Sequence, residues 1–454
     1  MSNLTGPLPL TVPNSPRQCK SSPRSSKRTH LADAFTVVGT DTFIGLCKHT
    51  IIYKPMKINV LFRFHSSCSM ATYRYLSPEI LSGFDRYKYS SIDTSPISKY
   101  ITHPFWDKLV QLYPRWLAPN VLTLAGFSLL VVSFIVLTII DPHFNAASPD
   151  QPGVPYWVWL LCSFNVFWSH TLDGTDGKQA RRTGSSSPLG ELFDHGLDSW
   201  ATLFFPINMY SIYGRGEFGV EVYRVYFVMI GIMFCFILSH WEKYNTGILF
   251  LPWGYDLSQI GMALLFLVAY FGGHEMWRFK LPFADLYCAE GLEIIMHLGT
   301  ILLTVPPTLW NIYVASRDGT GKKRTLWEAM RPLVGTLVLF GLMIIWAKYS
   351  SVEIIQQQPR LFYFLTGTLF SNIACRLIIS QMSDTRCELL NWMLYPLAAL
   401  VAVVLLTQPG FIEVAILWIF TIFTTVAHIH FGVSVVKEMC EHFNISAFTI
   451  KKKD

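Results

Sequence analysis

Apolar segments long enough to cross a lipid bilayer follow one another along the chain from about residue 119. A transmembrane helix needs about 20 consecutive apolar residues, and ten stretches approach that length. These stretches are residues 119–140, 155–173, 192–213, 222–240, 257–273, 287–311, 331–347, 361–381, 389–407 and 411–434. The pattern predicts an all-α polytopic membrane protein with about ten transmembrane helices.

Two other parts of the chain depart from this pattern. Residues 244–256 are apolar but contain Pro252 and two glycines, so we interpret them as a re-entrant or interfacial segment. Residues 13–29 are rich in Pro, Ser, Arg and Lys and cannot bury a core. We therefore expect residues 1–69 to be a disordered N-terminal extension, with a targeting function as the alternative.

Composition agrees with a membrane protein and excludes several other classes. Hydrophobic residues make up 51% of the chain and charged residues 15%, whereas soluble domains carry about 25% charge. The nine cysteines are scattered without a CxxC pair, which argues against a disulfide framework or a zinc module. The net charge of +6 comes from residues in separate loops, so we expect no nucleic-acid partner.

Basic residues are unevenly distributed over the predicted loops. Residues 174–191, residues 312–330 and the C-terminus each carry several Lys or Arg, whereas residues 141–154 and 408–410 carry none. Because basic residues in short loops favour the cytosol, the basic loops and both chain ends are predicted to be cytosolic. Two of the predicted lumenal loops carry two basic residues each and fit this orientation less well.

A group of acidic residues lies at the ends of two apolar stretches. Asp173 and Asp176 are spaced to share one face of a helix. At about 100° per residue, four polar side chains fall within roughly a 100° arc of the next helix, namely Glu191, Asp194, His195 and Asp198. A loop of about 15 residues between the two groups allows antiparallel helices, so that four Asp carboxylates converge.

Such a cluster favours a bound cation, because an ionisable group at membrane depth costs at least about 2.5 kcal/mol. Oxygen ligands in this number suit Mg²⁺ or Mn²⁺, and we expect two ions about 4 Å apart, as is usual for phosphate chemistry. Gly174 and Gly177 leave room for a ligand, and Arg181 offers a planar fork for phosphate. The alternative is solvated helix ends paired with Lys178 and Arg182, which four acids at this spacing disfavour.

The segment also matches a known motif, D-x-x-D-G-x-x-A-R-x₈-G-x-x-x-D-x-x-x-D. Its fixed positions are Asp173, Asp176, Gly177, Ala180, Arg181, Gly190, Asp194 and Asp198. The chain thereby resembles the CDP-alcohol phosphatidyltransferase family at every fixed position of the motif. Residues 117–120 (Leu-Ala-Pro-Asn) and 190–196 (Gly-Glu-Leu-Phe-Asp-His-Gly) are similar to the choline/ethanolamine phosphotransferase branch, and the resemblance runs from about Met70.

The resemblance implies a fold, a division of the chain and a reaction. After the N-terminal extension we expect a cytosolic or interfacial segment at residues 70–118 and a catalytic transmembrane core of the family's helical type at residues 119–311. Further transmembrane helices are expected at residues 312–438 and a cytosolic tail at residues 439–454. The implied reaction transfers phosphoethanolamine from CDP-ethanolamine to diacylglycerol or alkyl-acylglycerol, forming phosphatidylethanolamine and CMP. Membrane lipids are therefore partners, and homodimerisation is implied by the family.

Site residues follow from the same resemblance. It implies that Asp173 and Asp194 contact both metal ions, Asp176 the first and Asp198 the second. It also implies substrate-binding positions, which are Asn120, Gly177, Arg181, Gly190 and Lys243. Two other functions stay open: a choline or dual choline/ethanolamine phosphotransferase, and more remotely an ion transporter with intramembrane carboxylates. A transporter does not explain the Gly, Ala and Arg positions of the motif.

The residue that removes the acceptor's hydroxyl proton is a separate question. His195 is the first candidate, because an unperturbed imidazole has a pKa near 6.5 and suits neutral pH. Glu191 lies four residues earlier on the same helical face and is expected to orient it. Asp198 is the alternative base, although a carboxylate that holds a cation accepts a proton poorly.

The last four residues, Lys451-Lys452-Lys453-Asp454, fit a K-K-x-x retrieval signal. This pattern indicates the endoplasmic reticulum, with the Golgi as a second location. Because one substrate is a soluble diphosphate and the other a lipid, we expect the active site at the cytosolic edge of the bilayer.

Overall fold

The computed structural model describes residues 73–93, 95–148, 150–251 and 254–450. Its α-helices are α1 (Pro78–Arg86), α2 (His103–Leu109), α3 (Pro119–Ile140), α4 (Tyr156–Thr183), α5 (Pro188–Ala201), α6 (Phe204–Tyr213), α7 (Val222–Thr246), α8 (Gly254–Gly272), α9 (Cys288–Leu298), α10 (Val305–Arg317), α11 (Leu326–Tyr349), α12 (Ile354–Gln357), α13 (Pro359–Ser383), α14 (Leu394–Thr407) and α15 (Ile412–Phe443). The predictions for residues 1–69 and for Lys451–Asp454 fall outside this range.

Other regular structure is sparse in the described residues. Two three-residue strands, β1 (Ser91–Asp93) and β2 (Leu249–Leu251), pair in parallel. Short 3₁₀-helices cover Val110–Leu112 and His274–Trp277, and π-helical turns cover Ser98–Thr102 and Gly299–Thr304. The helical fold predicted from hydropathy is therefore confirmed.

Seven helical segments in the described residues are long and apolar enough to cross a membrane, where α9, the π-helical turn and α10 count as one segment, Cys288–Arg317. A polytopic membrane protein is therefore confirmed, although the count of ten is not. The predicted span 192–213 is interrupted, because α5 ends at Ala201 and α6 begins at Phe204. Helix α14 has only 14 residues. Helix α4 is long, with 28 residues, but its last third carries the charged motif.

The connection between α4 and α5 is much shorter than the predicted loop of about 15 residues. Helix α4 continues through the motif to Thr183 and ends because Gly184 adopts a left-handed conformation, with φ of 66°. Helix α5 begins directly afterwards, where Ser187 caps the backbone N–H of Gly190 and Pro188 occupies the first turn. Both halves of the acidic motif therefore lie on regular helix.

Residues 244–256, predicted to be a re-entrant or interfacial segment, contain parts of three elements. Helix α7 extends to Thr246 and is terminated by Gly247, which has φ of 83°. The following residues form β2, and α8 starts at Gly254. The stretch is a helix end, a strand and a helix start, and its interfacial position stays a prediction.

Contacts of the loops distinguish two ends of the helix bundle. At one end the backbone N–H of Lys322 donates to the carbonyl of Asn245 at 2.7 Å, and its ammonium pairs with Asp384 at 3.0 Å. At the other end Arg360 Nε donates to the carbonyl of Asp141 at 2.7 Å. Because Arg360 lies in the first turn of α13 and Asp384 directly follows its last residue, these loops lie at opposite ends. We call them the site end and the far end.

Candidate active site

Three carboxylates of the motif converge at the site end. One oxygen from each of Asp173, Asp176 and Asp194 lies within 4.8 Å of the others, in a group able to hold a metal ion. Asp176 is buried and the other two are half-buried. Asp198, one helical turn after Asp194, is not in this group but lines a small cavity together with Asp173.

Neighbouring side chains hold these carboxylates in place. Thr123 of α3 donates its hydroxyl to Asp176 at 2.5 Å, and the Tyr255 hydroxyl of α8 lies 3.4 Å from Asp173. Asp194 Oδ1 is buried and has no hydrogen-bond partner among the described residues. A buried carboxylate oxygen without a donor is costly, so the site fits a divalent cation as the missing partner.

The two small residues of the motif have different surroundings. A Cβ atom on Gly174 would lie 2.5 Å from the ring of Trp106, so this glycine makes room for a side chain of α2 rather than for a ligand. A Cβ on Gly177 would approach only Arg181, at 3.5 Å. Of the two glycines, therefore, only Gly177 borders open space.

An open cleft of about 630 Å³ lies on one side of the carboxylates, within the usual size range of small-molecule sites. Eight of the predicted site residues line it, namely Asn120, Asp176, Gly177, Arg181, Gly190, Glu191, Asp194 and His195. Residues 445–447 and 449–450 of the C-terminal segment form another part of its wall. We call this space the donor cleft.

Arg181 differs from the basic residues beside it. Lys178 forms an ion pair with Asp107 at 2.6 Å, and Arg182 Nη1 donates to the carbonyl of Tyr113 at 2.7 Å. The guanidinium of Arg181 has no hydrogen bond or ion pair in the described part of the chain, and it faces the donor cleft. Of these three, Arg181 is the one available to a phosphate.

The predicted pairing of Glu191 with His195 is not present in this structure. Glu191 accepts instead from Lys243 at 2.5 Å and from the Tyr87 hydroxyl at 2.6 Å. The His195 ring packs edge-on against His240, with ring centroids 5.3 Å apart. His195 lines the donor cleft, whereas the predicted substrate residue Lys243 is engaged with Glu191 beside it.

A much smaller cavity of about 20 Å³, with room for about one water molecule, lies on the other side of the carboxylates. Its polar lining includes Asp173, Asp198, Tyr255 and Gln259. Its apolar lining comes from α3, α5 and the residues that follow, namely Phe127, Leu130, Leu197, Ala201 and Phe205.

Sequence reasoning missed several residues that shape the site. Thr123, Trp106 and Tyr255 contact motif residues, and His240 contacts His195. A buried chain continues behind them, since His170 pairs with Asp256 at 3.0 Å and Ser98 donates to the same carboxylate. Polar residues within apolar stretches of the sequence indicate such positions, but only the packing of the helices shows which of these side chains contact each other.

Apolar helices thus surround a cluster of carboxylates that borders an open cleft and forms a candidate metal-binding site. The family model described as CDP-alcohol phosphatidyltransferase matches residues 116–305. Together with the relatives described next, this match shows that the chain belongs to the CDP-alcohol phosphatidyltransferase family, whose members transfer a phosphoalcohol from a CDP-alcohol to a lipid acceptor and use divalent metal.

Three relatives illustrate the range of similarity. Ethanolaminephosphotransferase 1 of Mus musculus is 49% identical over 385 residues, covering 84% of this chain and 96% of the relative. Choline/ethanolaminephosphotransferase 1 of Arabidopsis thaliana is 32% identical over 404 residues, covering 84% and 99%. Cholinephosphotransferase 1 of Rattus norvegicus is 31% identical over 355 residues, covering 76% and 84%.

Proposed function

We propose that this protein transfers phosphoethanolamine from CDP-ethanolamine to diacylglycerol or alkyl-acylglycerol, forming phosphatidylethanolamine and CMP. The observation that carries the proposal is the contrast in identity between relatives. Identity to a protein named ethanolaminephosphotransferase is 49%, against 31% to one named cholinephosphotransferase. The motif is complete at every position, so the same site chemistry applies to either alcohol.

In this reaction the acceptor hydroxyl oxygen bonds to the phosphorus of phosphoethanolamine, and the bond from that phosphorus to CMP breaks. Asp173, Asp176, Asp194 and Asp198 are the proposed ligands of two divalent cations, Mg²⁺ or Mn²⁺. Bound cations supply charge neutralisation at the diphosphate and at the leaving CMP. Asn120 and Arg181, which line the donor cleft, would hold the nucleotide and a phosphate oxygen.

A lipid acceptor is supported by the family, whose members transfer to lipid acceptors. Asp198 and Tyr255 line a small cavity together with Asp173, which is where an acceptor hydroxyl would meet the carboxylates. His195 remains the proposed base, because its imidazole lines the donor cleft beside Asp194. Asp198 remains the alternative, since it lines the cavity itself.

The test of the function is an assay of the purified protein with diacylglycerol and a divalent cation. We expect CMP release and phosphatidylethanolamine from CDP-ethanolamine, with kcat/KM at least about tenfold lower for CDP-choline, a difference of roughly 1.4 kcal/mol. Equal values for both donors would establish a dual-specificity enzyme. No CMP release from either donor, together with cation flux in liposomes, would establish the transporter alternative.

We also propose an endoplasmic-reticulum membrane location, a homodimer, and a cytosolic site end. Seven apolar helices and the basic loops at the site end support this orientation. Cysteine labelling of sealed microsomes from outside is expected to modify position 323 and to leave position 150 unmodified. Labelling of both positions from the same side would contradict the orientation.

A further inference from the structure

The N-terminal segment Tyr73–Asp93 precedes the residues matched by the family model, yet it forms part of the donor cleft. Three contacts fix it. The backbone N–H groups of Tyr75 and Leu76 donate to the carboxylate of Glu438, at 2.8 and 2.9 Å. Gly83 of α1 packs against the backbone of Ser383, and β1 pairs with β2. Three separate sets of contacts thus hold the segment on the core.

Docking brings two tyrosines to the edge of the cleft. The Tyr87 hydroxyl donates to Glu191 Oε1 at 2.6 Å, the same oxygen that pairs with Lys243 Nζ at 2.5 Å. Lys243 Nζ also lies 5.4 Å from the ring centroid of Tyr87 and 5.1 Å from that of Tyr89. We call Tyr87, Tyr89, Glu191 and Lys243 the tyrosine cluster.

The ion pair in this cluster is removed from water. The side chains of Lys243 and Glu191 are 2% and 9% exposed. A buried ion pair is maintained only when further hydrogen bonds and good geometry offset the loss of hydration. Burial and the nearby Glu191 carboxylate raise the pKa of the Tyr87 phenol far above its usual range, so its hydroxyl stays protonated and donates. Tyr87 thus supplies the second donor that the pair needs.

Glu191 is also one helical turn before the carboxylates. It lies on α5 with Asp194 and lines the same cleft. A Glu191 carboxylate freed from its partners would add a mobile negative charge where an anionic diphosphate has to bind. Holding Glu191 against Lys243 therefore keeps this part of the cleft neutral.

We propose that Tyr87 is a positioning residue, whose hydroxyl fixes the Glu191–Lys243 ion pair so that the donor cleft accepts a diphosphate. The inference rests on the proposed function, because CDP-ethanolamine is the donor in question. It assigns a role in the active site to a segment outside the matched family region. Tyr87 is not a catalytic residue in this proposal, since it acts through Glu191.

The test compares Tyr87→Phe with Tyr75→Phe in the full-length protein, reconstituted with Mg²⁺ and diacylglycerol. Tyr87→Phe keeps the ring over Lys243 but loses the donor to Glu191. Tyr75→Phe is the matched control, because it loses a hydrogen bond to His430, at 3.0 Å, from the same segment. We expect Tyr87→Phe to raise KM for CDP-ethanolamine about tenfold, the loss expected for one hydrogen bond to a charged group. KM for diacylglycerol and thermal unfolding are expected to stay unchanged.

A double-mutant cycle separates positioning from general stability. If Tyr87 acts through Glu191, then Tyr87→Phe added to Glu191→Gln should change KM less than about twofold further. A tenfold further increase, an equal effect of Tyr75→Phe, or an unchanged KM in Tyr87→Phe would each overturn the inference.

Equilibrium binding of CDP-ethanolamine, measured on the same proteins, distinguishes failure of the inference from failure of the proposed function. A wild-type protein that neither binds nor turns over CDP-ethanolamine contradicts the proposed function and the inference with it. If the wild type and Tyr87→Phe bind CDP-ethanolamine equally tightly, the inference is contradicted and the proposed function is not.

Discussion

Both ends of the helix bundle bury charged side chains, but the partners of these charges differ between the two ends. At the far end Arg360 faces Asp141, with Nη2 3.7 Å from Oδ2, and its guanidinium lies 4.1 Å from the Phe144 ring centroid. Ser211 accepts a further hydrogen bond from Arg360. At the site end three carboxylates face one another, and no ion pair joins them to a basic residue in the described part of the chain.

The difference separates charges that hold the fold together from charges kept for a ligand. A buried pair of opposite charges is self-contained, and removing one partner leaves the other without compensation. Buried like charges repel one another, and the cluster is stabilised when a carboxyl group takes up a proton or when a ligand supplies the opposite charge. The predictions below test this contrast, from the largest expected effect to the smallest.

Asp173→Asn is expected to lower turnover by at least about 1000-fold, more than the 10–100-fold typical of outer-shell partners of a metal. Without divalent cations the variant should unfold at the same temperature as the wild type or higher, because repulsion is relieved. Mg²⁺ should stabilise the wild type but not the variant. CMP release and thermal unfolding with and without Mg²⁺ measure both effects, and Asp194→Asn should behave alike. Substantial activity with normal metal dependence would refute the cation site.

Arg360→Met should lower stability and leave activity unaffected, because it leaves the Asp141 carboxylate buried and unpaired. We expect the free energy of unfolding to fall by about 3–5 kcal/mol, with KM for CDP-ethanolamine unchanged in the protein that remains folded. Unfolding in mixed micelles measures the first quantity. Arg386→Met is the matched control, since Arg386 is exposed and pairs with Glu328 at the surface. If both variants unfold alike, the far-end pair is not structural.

His195→Ala tests the site end without removing a carboxylate. Turnover should fall by at least about 100-fold, the lower end for loss of a positioned general base, while CDP-ethanolamine affinity changes little. Asp198→Asn should instead weaken metal binding, with partial recovery of activity at high Mg²⁺. Steady-state kinetics at several Mg²⁺ concentrations distinguish these outcomes. Near-normal turnover in His195→Ala would make Asp198 the better candidate for the base.

Arg181→Gln and Lys178→Gln make the same comparison within one helix. Arg181 faces the donor cleft without a protein partner among the described residues, whereas Lys178 is paired with Asp107. We expect Arg181→Gln to raise KM for CDP-ethanolamine about tenfold, because it removes a charged hydrogen-bond donor to phosphate. Lys178→Gln should change KM less than about twofold, as is usual for a partly exposed ion pair. Equal effects would mean that Arg181 has no specific role.

The sequence alone determined the class of fold and the identity of the acidic cluster. Apolar length is enough to predict membrane helices, because every backbone group in lipid must be satisfied within its own helix. The three-residue spacing of Asp173 and Asp176 places them on one face whatever surrounds them. Helix ends are harder to predict from the sequence. Hydropathy falls where the charged motif begins, and it therefore predicts a helix end at residue 173, whereas α4 continues to Thr183.

Only the tertiary structure decided which side chains of different helices meet. Glu191 was expected to orient His195 because both lie on one helical face, but Lys243 of α7 and Tyr87 of the N-terminal segment engage it instead. Likewise the missing side chain of Gly174 leaves room for the ring of Trp106, which lies 68 residues earlier in the chain. Helical periodicity relates residues within about two turns of each other, whereas contacts between helices depend on how the whole bundle packs.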